Sequence, residues 1–135
     1  LLDLHRSTDF ATFRQACAHW PSVGLTLVYA GSDGTVGWQV MGDIPRRLEG
    51  SGWLPHPAQS GPVWHEDHVP FDDNPYRRDP ECGFVAAANN RPIPASALPF
   101  LTADFVDGYR HARIRELLEA RQDWCLETVA GLQMD

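Results

Sequence analysis

The run Asn89-Asn90-Arg91-Pro92 holds the residue types that come nearest to chemistry in this sequence. It follows Gly83-Phe84-Val85-Ala86-Ala87-Ala88, small and apolar residues that read as a short strand. A carboxamide at the end of a strand is held rigidly. Its NH2 can be aimed at an oxyanion that develops during acyl transfer. Neighbouring side chains in a strand point to opposite faces, so only one of Asn89 and Asn90 could serve. Two asparagines ahead of Arg-Pro are usually turn residues, and on the residues alone that reading prevails.

Other candidates are weaker. His65-Glu66-Asp67-His68 has metal-ligand residue types, but the spacing is not that of HExxH, and the flanking prolines read as a solvated loop. His5, His19, His56 and His111 stand singly. No glycine-rich turn enters a helix, as a phosphate site would require. Trp38, Trp53 and Trp64 could line a sugar-binding groove, or serve as core and loop anchors.

These residues need elements to position them. Phe10, Phe13, Cys17 and Trp20 make one apolar stripe, which predicts a helix over 7–20, capped by Ser7 or Thr8 and stopped by Pro21. Residues 25–31 and 35–41 read as strands joined by Ser32-Asp33-Gly34, a hairpin. Leu25, Leu27 and Tyr29 share one face, and Val36, Trp38 and Val40 alternate likewise. Residues 42–82 carry seven of the eleven prolines and read as a long loop that wraps another surface. A second helix is expected over 104–120, and a third, short one from near Asp123.

With 135 residues the chain has a one-domain length, and its 43% hydrophobic content can build a core. Eleven basic against 18 acidic residues give a net charge of -7. That argues against nucleic acid or an anionic membrane as the main partner, since both need a positive patch. Cys17, Cys82 and Cys125 cannot all pair within one chain and show no metal spacing, so buried or half-buried thiols are expected. No leader or membrane-spanning run is evident. Both ends, Leu1-Leu2-Asp3-Leu4 and Leu132-Gln133-Met134-Asp135, read as cut from something longer.

Several motifs then occur in order. Leu27-Val28-Tyr29-Ala30, Asp33-Gly34-Thr35-Val36-Gly37-Trp38 and Gly42-Asp43-Ile44-Pro45-Arg46-Arg47 resemble one hairpin-and-turn pattern of the penicillin acylase family of N-terminal-nucleophile hydrolases. Trp53-Leu54-Pro55-His56-Pro57, Val69-Pro70-Phe71 through Pro75, Gly83 through Arg91, and Tyr109-Arg110 with Arg113-Ile114-Arg115-Glu116-Leu117-Leu118 are similar to its later motifs. Each is weak alone; together they span the chain from end to end.

The resemblance implies an α+β piece of that family's four-layer αββα fold, one segment over 1–135 of the larger chain. It carries a β-hairpin, a long Pro-rich loop and flanking helices. The activity implied for the parent protein is cleavage of a linear amide, such as a β-lactam side chain or an acyl-homoserine lactone. The nucleophile is an N-terminal Ser whose α-amino group is the base. That Ser is not in this chain, so the chain alone is expected to be inactive. Asn89 matches the oxyanion-hole Asn. Arg113 matches the supporting Arg best, with Arg110 second. The implied partners are the remainder of the precursor and a small-molecule amide, and the implied location is periplasmic or extracellular. Many members bind structural calcium, which leaves calcium a place in the parent. The position matching one of its carboxylates is Ala97 here, so no metal and no cofactor is assigned to this chain. The alternatives are a non-catalytic scaffold or binding module that kept the fold, and a carbohydrate-binding domain using the three tryptophans.

Overall fold

Asp9 begins the first packed helix. The computed structural model describes residues 1–48, 52 and 54–135. In it α1 spans Leu2–Arg6 and α2 spans Phe10–Ala18. The N-cap of α2 is Asp9 rather than Ser7 or Thr8. Its carboxylate accepts from Thr12 N–H at 2.7 Å, and the Thr12 hydroxyl accepts from Asp9 N–H at 3.2 Å. This reciprocal pair satisfies two groups that a helix start leaves open. The Thr12 N–H bond, and then one donated by the Thr12 hydroxyl to the same carboxylate at 2.9 Å, lower the Asp9 pKa.

The helix packs on a three-stranded antiparallel sheet of β1 (Leu25–Ala30), β2 (Val36–Met41) and β5 (Tyr76–Arg78), in the order β1-β2-β5. The expected hairpin is present. Leu25 pairs with Met41 and Ala30 with Val36, and Gly31 N–H donates to Thr35 C=O at 2.8 Å across the turn. The register places the two apolar sets on opposite faces. Leu27 and Tyr29 lie beside Gln39 and Gly37 under α2, whereas Val36, Trp38 and Val40 share the other face with Val28. Phe10, Phe13, Cys17 and Met41 form the core, with Leu4, Trp20, Leu27, Tyr29 and Phe71 packed around it. Gly37 is required for this contact. A Cβ there would sit 2.5 Å from the Phe10 ring and 2.7 Å from the Arg77 carbonyl.

A polar node crosses the same interface. Gln39 is fully buried; its Oε1 accepts from Arg14 Nε at 2.7 Å, and its Nε2 donates to Val40 C=O at 2.7 Å. The Arg14 guanidinium lies 3.7 Å from the centre of the Tyr76 ring. Burying the Gln39 amide is tolerated because both ends of it are hydrogen-bonded, and the half-buried Arg14 cation rests on the ring.

The Pro-rich stretch is not structureless, contrary to the reading of 42–82 as loop. Besides β5 it contributes β3 (Pro45–Arg47) and β4 (Trp64–His68), paired antiparallel as a second small sheet. Its prolines sit at strand starts and turns, where a missing N–H is harmless.

Three further expectations change. Residues 83–88 form no strand. A strand exists only when its backbone groups find a ladder, and none is offered to this run by the described residues. Helix α3 spans Tyr109–Glu119, shorter than 104–120, and α4 spans Leu126–Gln133. Cys17 is buried, whereas Cys82 and Cys125 are exposed; all three are free. Burial raises the Cys17 thiol to about 11.

Helices α3 and α4 contain no fully buried residue. The accessible surface is 9822 Å2. A compact protein of this size would expose roughly 7,000 Å2. The excess is consistent with α3, α4 and the second face of the sheet having little of this chain to pack against.

Candidate active site

Asn89 sits where 84–88 ends, and its backbone is left-handed at φ 58°. This region costs most residues roughly 1–2 kcal/mol, and Asn is one of the few that tolerate it. Three contacts hold it there. Val106 N–H donates to Asn89 C=O at 3.1 Å. Arg110 Nη2 donates to Ala88 C=O at 2.9 Å and to Asn89 Oδ1 at 2.7 Å. Asn90 has a different task. Its Oδ1 accepts from Ala88 N–H at 3.0 Å and its Nδ2 donates to Arg91 C=O, which makes it the turn residue of the pair.

The Arg110 contact decides which way the Asn89 amide points. A guanidinium has only donors, so the amide oxygen must face it. The Nδ2 group is therefore on the other side, where it has no hydrogen-bond partner among the described residues. It is exposed, in an open cleft of about 510 Å3 lined also by Leu25, Thr26, Phe105 and Ile114. The result is an oriented N–H donor on a fixed backbone, with a cation behind it. Such a group can stabilise negative charge on a carbonyl oxygen.

Arg113 does not make this contact. It lies nearly one turn further along α3 and is held by Asp135 at 2.7 and 2.8 Å and by Glu116 at 3.1 Å. The Asp135 bond, then the Glu116 bond, raises its pKa above the usual range. The residue beside Asn89 is Arg110, the second choice from sequence. The available signal was the helix start. With α3 beginning at Tyr109, Arg110 falls in the first turn, nearest the Asn89–Val106 bond.

The other candidates are dispersed. His65 and His68 lie on β4, where a spacing of three points them to opposite faces. His68 Nδ1 is instead 2.8 Å from Asp43 Oδ1. Among the described residues no three His, Cys, Asp or Glu side chains gather to hold a metal ion. Trp38 is half-buried on β2 and Trp64 is exposed on β4, in different sheets, and neither lines the Asn89 cleft. Trp53 lies outside the described residues.

Comparison with known proteins gives the relationship. The penicillin amidase family profile matches residues 1–135. The chain belongs to the penicillin amidase family. An acyl-homoserine lactone acylase QuiP from Pseudomonas syringae pv. tomato is 35% identical over 134 residues, 98% of this chain and 16% of that protein. Penicillin acylase 2 proenzyme from a Pseudomonas species (strain SE83) is 30% identical over 129 residues, 96% of this chain and 17% of that protein. Thermostable penicillin G acylase from Alcaligenes faecalis superposes with a TM-score of 0.78 at 16% identity, covering 97% of this chain and 23% of the other. The mixed helix-and-sheet architecture is thus a portion of the penicillin acylase fold. The chain spans about a sixth of the length of these curated relatives. No helix among the described residues is long and apolar enough to cross a membrane.

Proposed function

We propose that this chain is part of a longer amidohydrolase that cleaves a linear amide of an acylated small molecule, and that Asn89 supplies an oxyanion-hole donor. The observation that carries the reading is the orientation of the Asn89 amide. Arg110 takes Oδ1, and Nδ2 is left free in an open cleft. The names of the relatives, acyl-homoserine lactone acylase and penicillin acylase, support an acyl amide as the substrate class.

In this reaction the hydroxyl of an N-terminal Ser, outside these residues, attacks the amide carbonyl while its α-amino group takes the proton. The carbonyl π pair moves onto oxygen, and the Asn89 Nδ2–H donates to the resulting O⁻. The C–N bond then breaks, the amine leaves with the proton, and water hydrolyses the acyl-enzyme. Arg110 keeps the Asn89 amide from flipping and adds positive potential behind it. Arg113, bound to Asp135 and Glu116, has at most a supporting role through α3. The partners in this reading are the remainder of the same protein and the amide substrate. The large exposed surface of the chain is what the first of these would cover. The location that goes with the reading is periplasmic or extracellular.

Intact mass and N-terminal sequencing of the full-length native protein test this. Two chains, the longer beginning with Ser and releasing an acyl group from an amide, are expected. A single unprocessed chain without amidase activity would replace the enzyme by a non-catalytic module of the same fold.

A further inference from the structure

The contacts that hold Asn89 continue past Arg110. Residues 102–106 belong to no helix or strand, although the sequence predicts helix from 104. They are tied down instead by a closed ring of contacts. Val106 N–H donates to Asn89 C=O at 3.1 Å. The residue before it, Phe105, carries the Arg91 guanidinium 4.5 Å from its ring centre. Arg91 is covalently two residues from Asn89. The path from Asn89 to Val106, Phe105, Arg91 and back is therefore closed. Thr102 Oγ1, accepting from Asp104 N–H at 3.0 Å, tightens the loop from its other side.

We infer that the Arg91–Phe105 stack is the buttress of Asn89, with both as positioning residues for the oxyanion donor. This rests on the function proposed above. A left-handed Asn has an accessible extended alternative, in which its amide would swing away from the cleft. Arg110 alone does not prevent that, because its bonds to the Asn89 side chain and the Ala88 carbonyl leave the Asn89 carbonyl unconstrained. The Val106 bond constrains it, and Val106 stays in place only while Phe105 is anchored. Among the described residues no carboxylate pairs with Arg91, so the ring is the partner its cation has. Phe105 and Val106 thus lie ahead of α3, whose N-cap is Gly108.

The full-length enzyme is assayed as Arg91→Ala, Phe105→Ala, the double variant and Phe105→Tyr, beside Asn89→Ala. A misplaced donor affects the transition state and not substrate binding. Each alanine variant is therefore expected to lose kcat by roughly ten- to a hundredfold with KM little changed. The double variant is expected to lose no more than either single one, because one unit is broken in each case. Phe105→Tyr keeps a ring for the cation and is expected to retain the rate. Should Phe105→Ala fail to fold, Arg91→Ala and Arg91→Lys carry the same comparison. A raised KM with unchanged kcat in Phe105→Ala makes the ring a substrate contact and overturns the buttress, as does a normal kcat in Arg91→Ala. Asn89→Ala separates the two levels. If it is crippled while Arg91→Ala is normal, only the buttress is wrong. If Asn89→Ala is itself normal, the oxyanion assignment has failed first.

Discussion

Residues 9–48 with 64–78, and residues 83–135, are built on different terms. The first region has a capped helix, two paired sheets and a core of Phe10, Phe13, Cys17 and Met41. The second has an exposed turn at Asn89 and two helices that bury no residue completely. Stability resides in the first and the candidate chemistry in the second. In the function proposed here the site presents donors outward, and outward-facing groups contribute little to a core.

Breaking the core should therefore have the largest effect. Phe10→Ala removes a ring that meets Phe13, Tyr29 and Tyr76, and should cost about 3–5 kcal/mol in denaturant unfolding of the chain. Leu126→Ala, on an exposed position of α4, should stay within about 0.5 kcal/mol. Equal losses at the two positions would erase the contrast between the regions. Gly37→Ala comes next. Its methyl group would press on the Phe10 ring and the Arg77 carbonyl, for about 1–3 kcal/mol of destabilisation.

Asn89→Gly sharpens the comparison from the other side. Glycine relieves the left-handed backbone but removes the Arg110–Oδ1 bond, so melting should shift stability by less than about 1 kcal/mol while the proposed donor amide is lost.

The smallest effects concern protons. Bonds to Thr12 hold the Asp9 carboxyl below its usual 3.8. Its contribution to α2 is then fully present above that value, and is lost as pH falls through the lower folded pKa. Helix signal followed by NMR should fray from Asp9 only in acid. The Cys17 thiol runs the other way. Burial raises it to about 11 from 9.0, so the unfolded chain ionises first, and stability falls as pH rises from 9. At pH 8 iodoacetamide should label Cys82 and Cys125 in the native chain, and Cys17 only after unfolding.

Much of the first region was legible in sequence. The spacing of Phe10, Phe13 and Cys17 marks the packed helix face, although α2 ends at Ala18, short of Trp20, and Ser32-Asp33-Gly34 marks the hairpin. Periodicity missed the Asp9 cap by a residue or two. It also missed Gln39, because a buried amide looks like a surface residue until Arg14 is seen beside it. The prolines of 42–82 concealed β3, β4 and β5. Short edge strands accept proline, and their partners are distant in sequence. In the second region residue types marked the pair Asn89 and Asn90, and only the family resemblance chose Asn89 between them. That Arg110 rather than Arg113 meets Asn89 depends on where α3 starts, just after Gly108, a boundary the apolar pattern placed too early.

The central claim is that Asn89 donates to the oxyanion. Steady-state kinetics of Asn89→Ala in the full-length enzyme test it most directly. The account predicts a loss of about a hundredfold or more in kcat with KM preserved. A kcat equal to that of the unaltered enzyme would contradict it and remove Asn89 from the site.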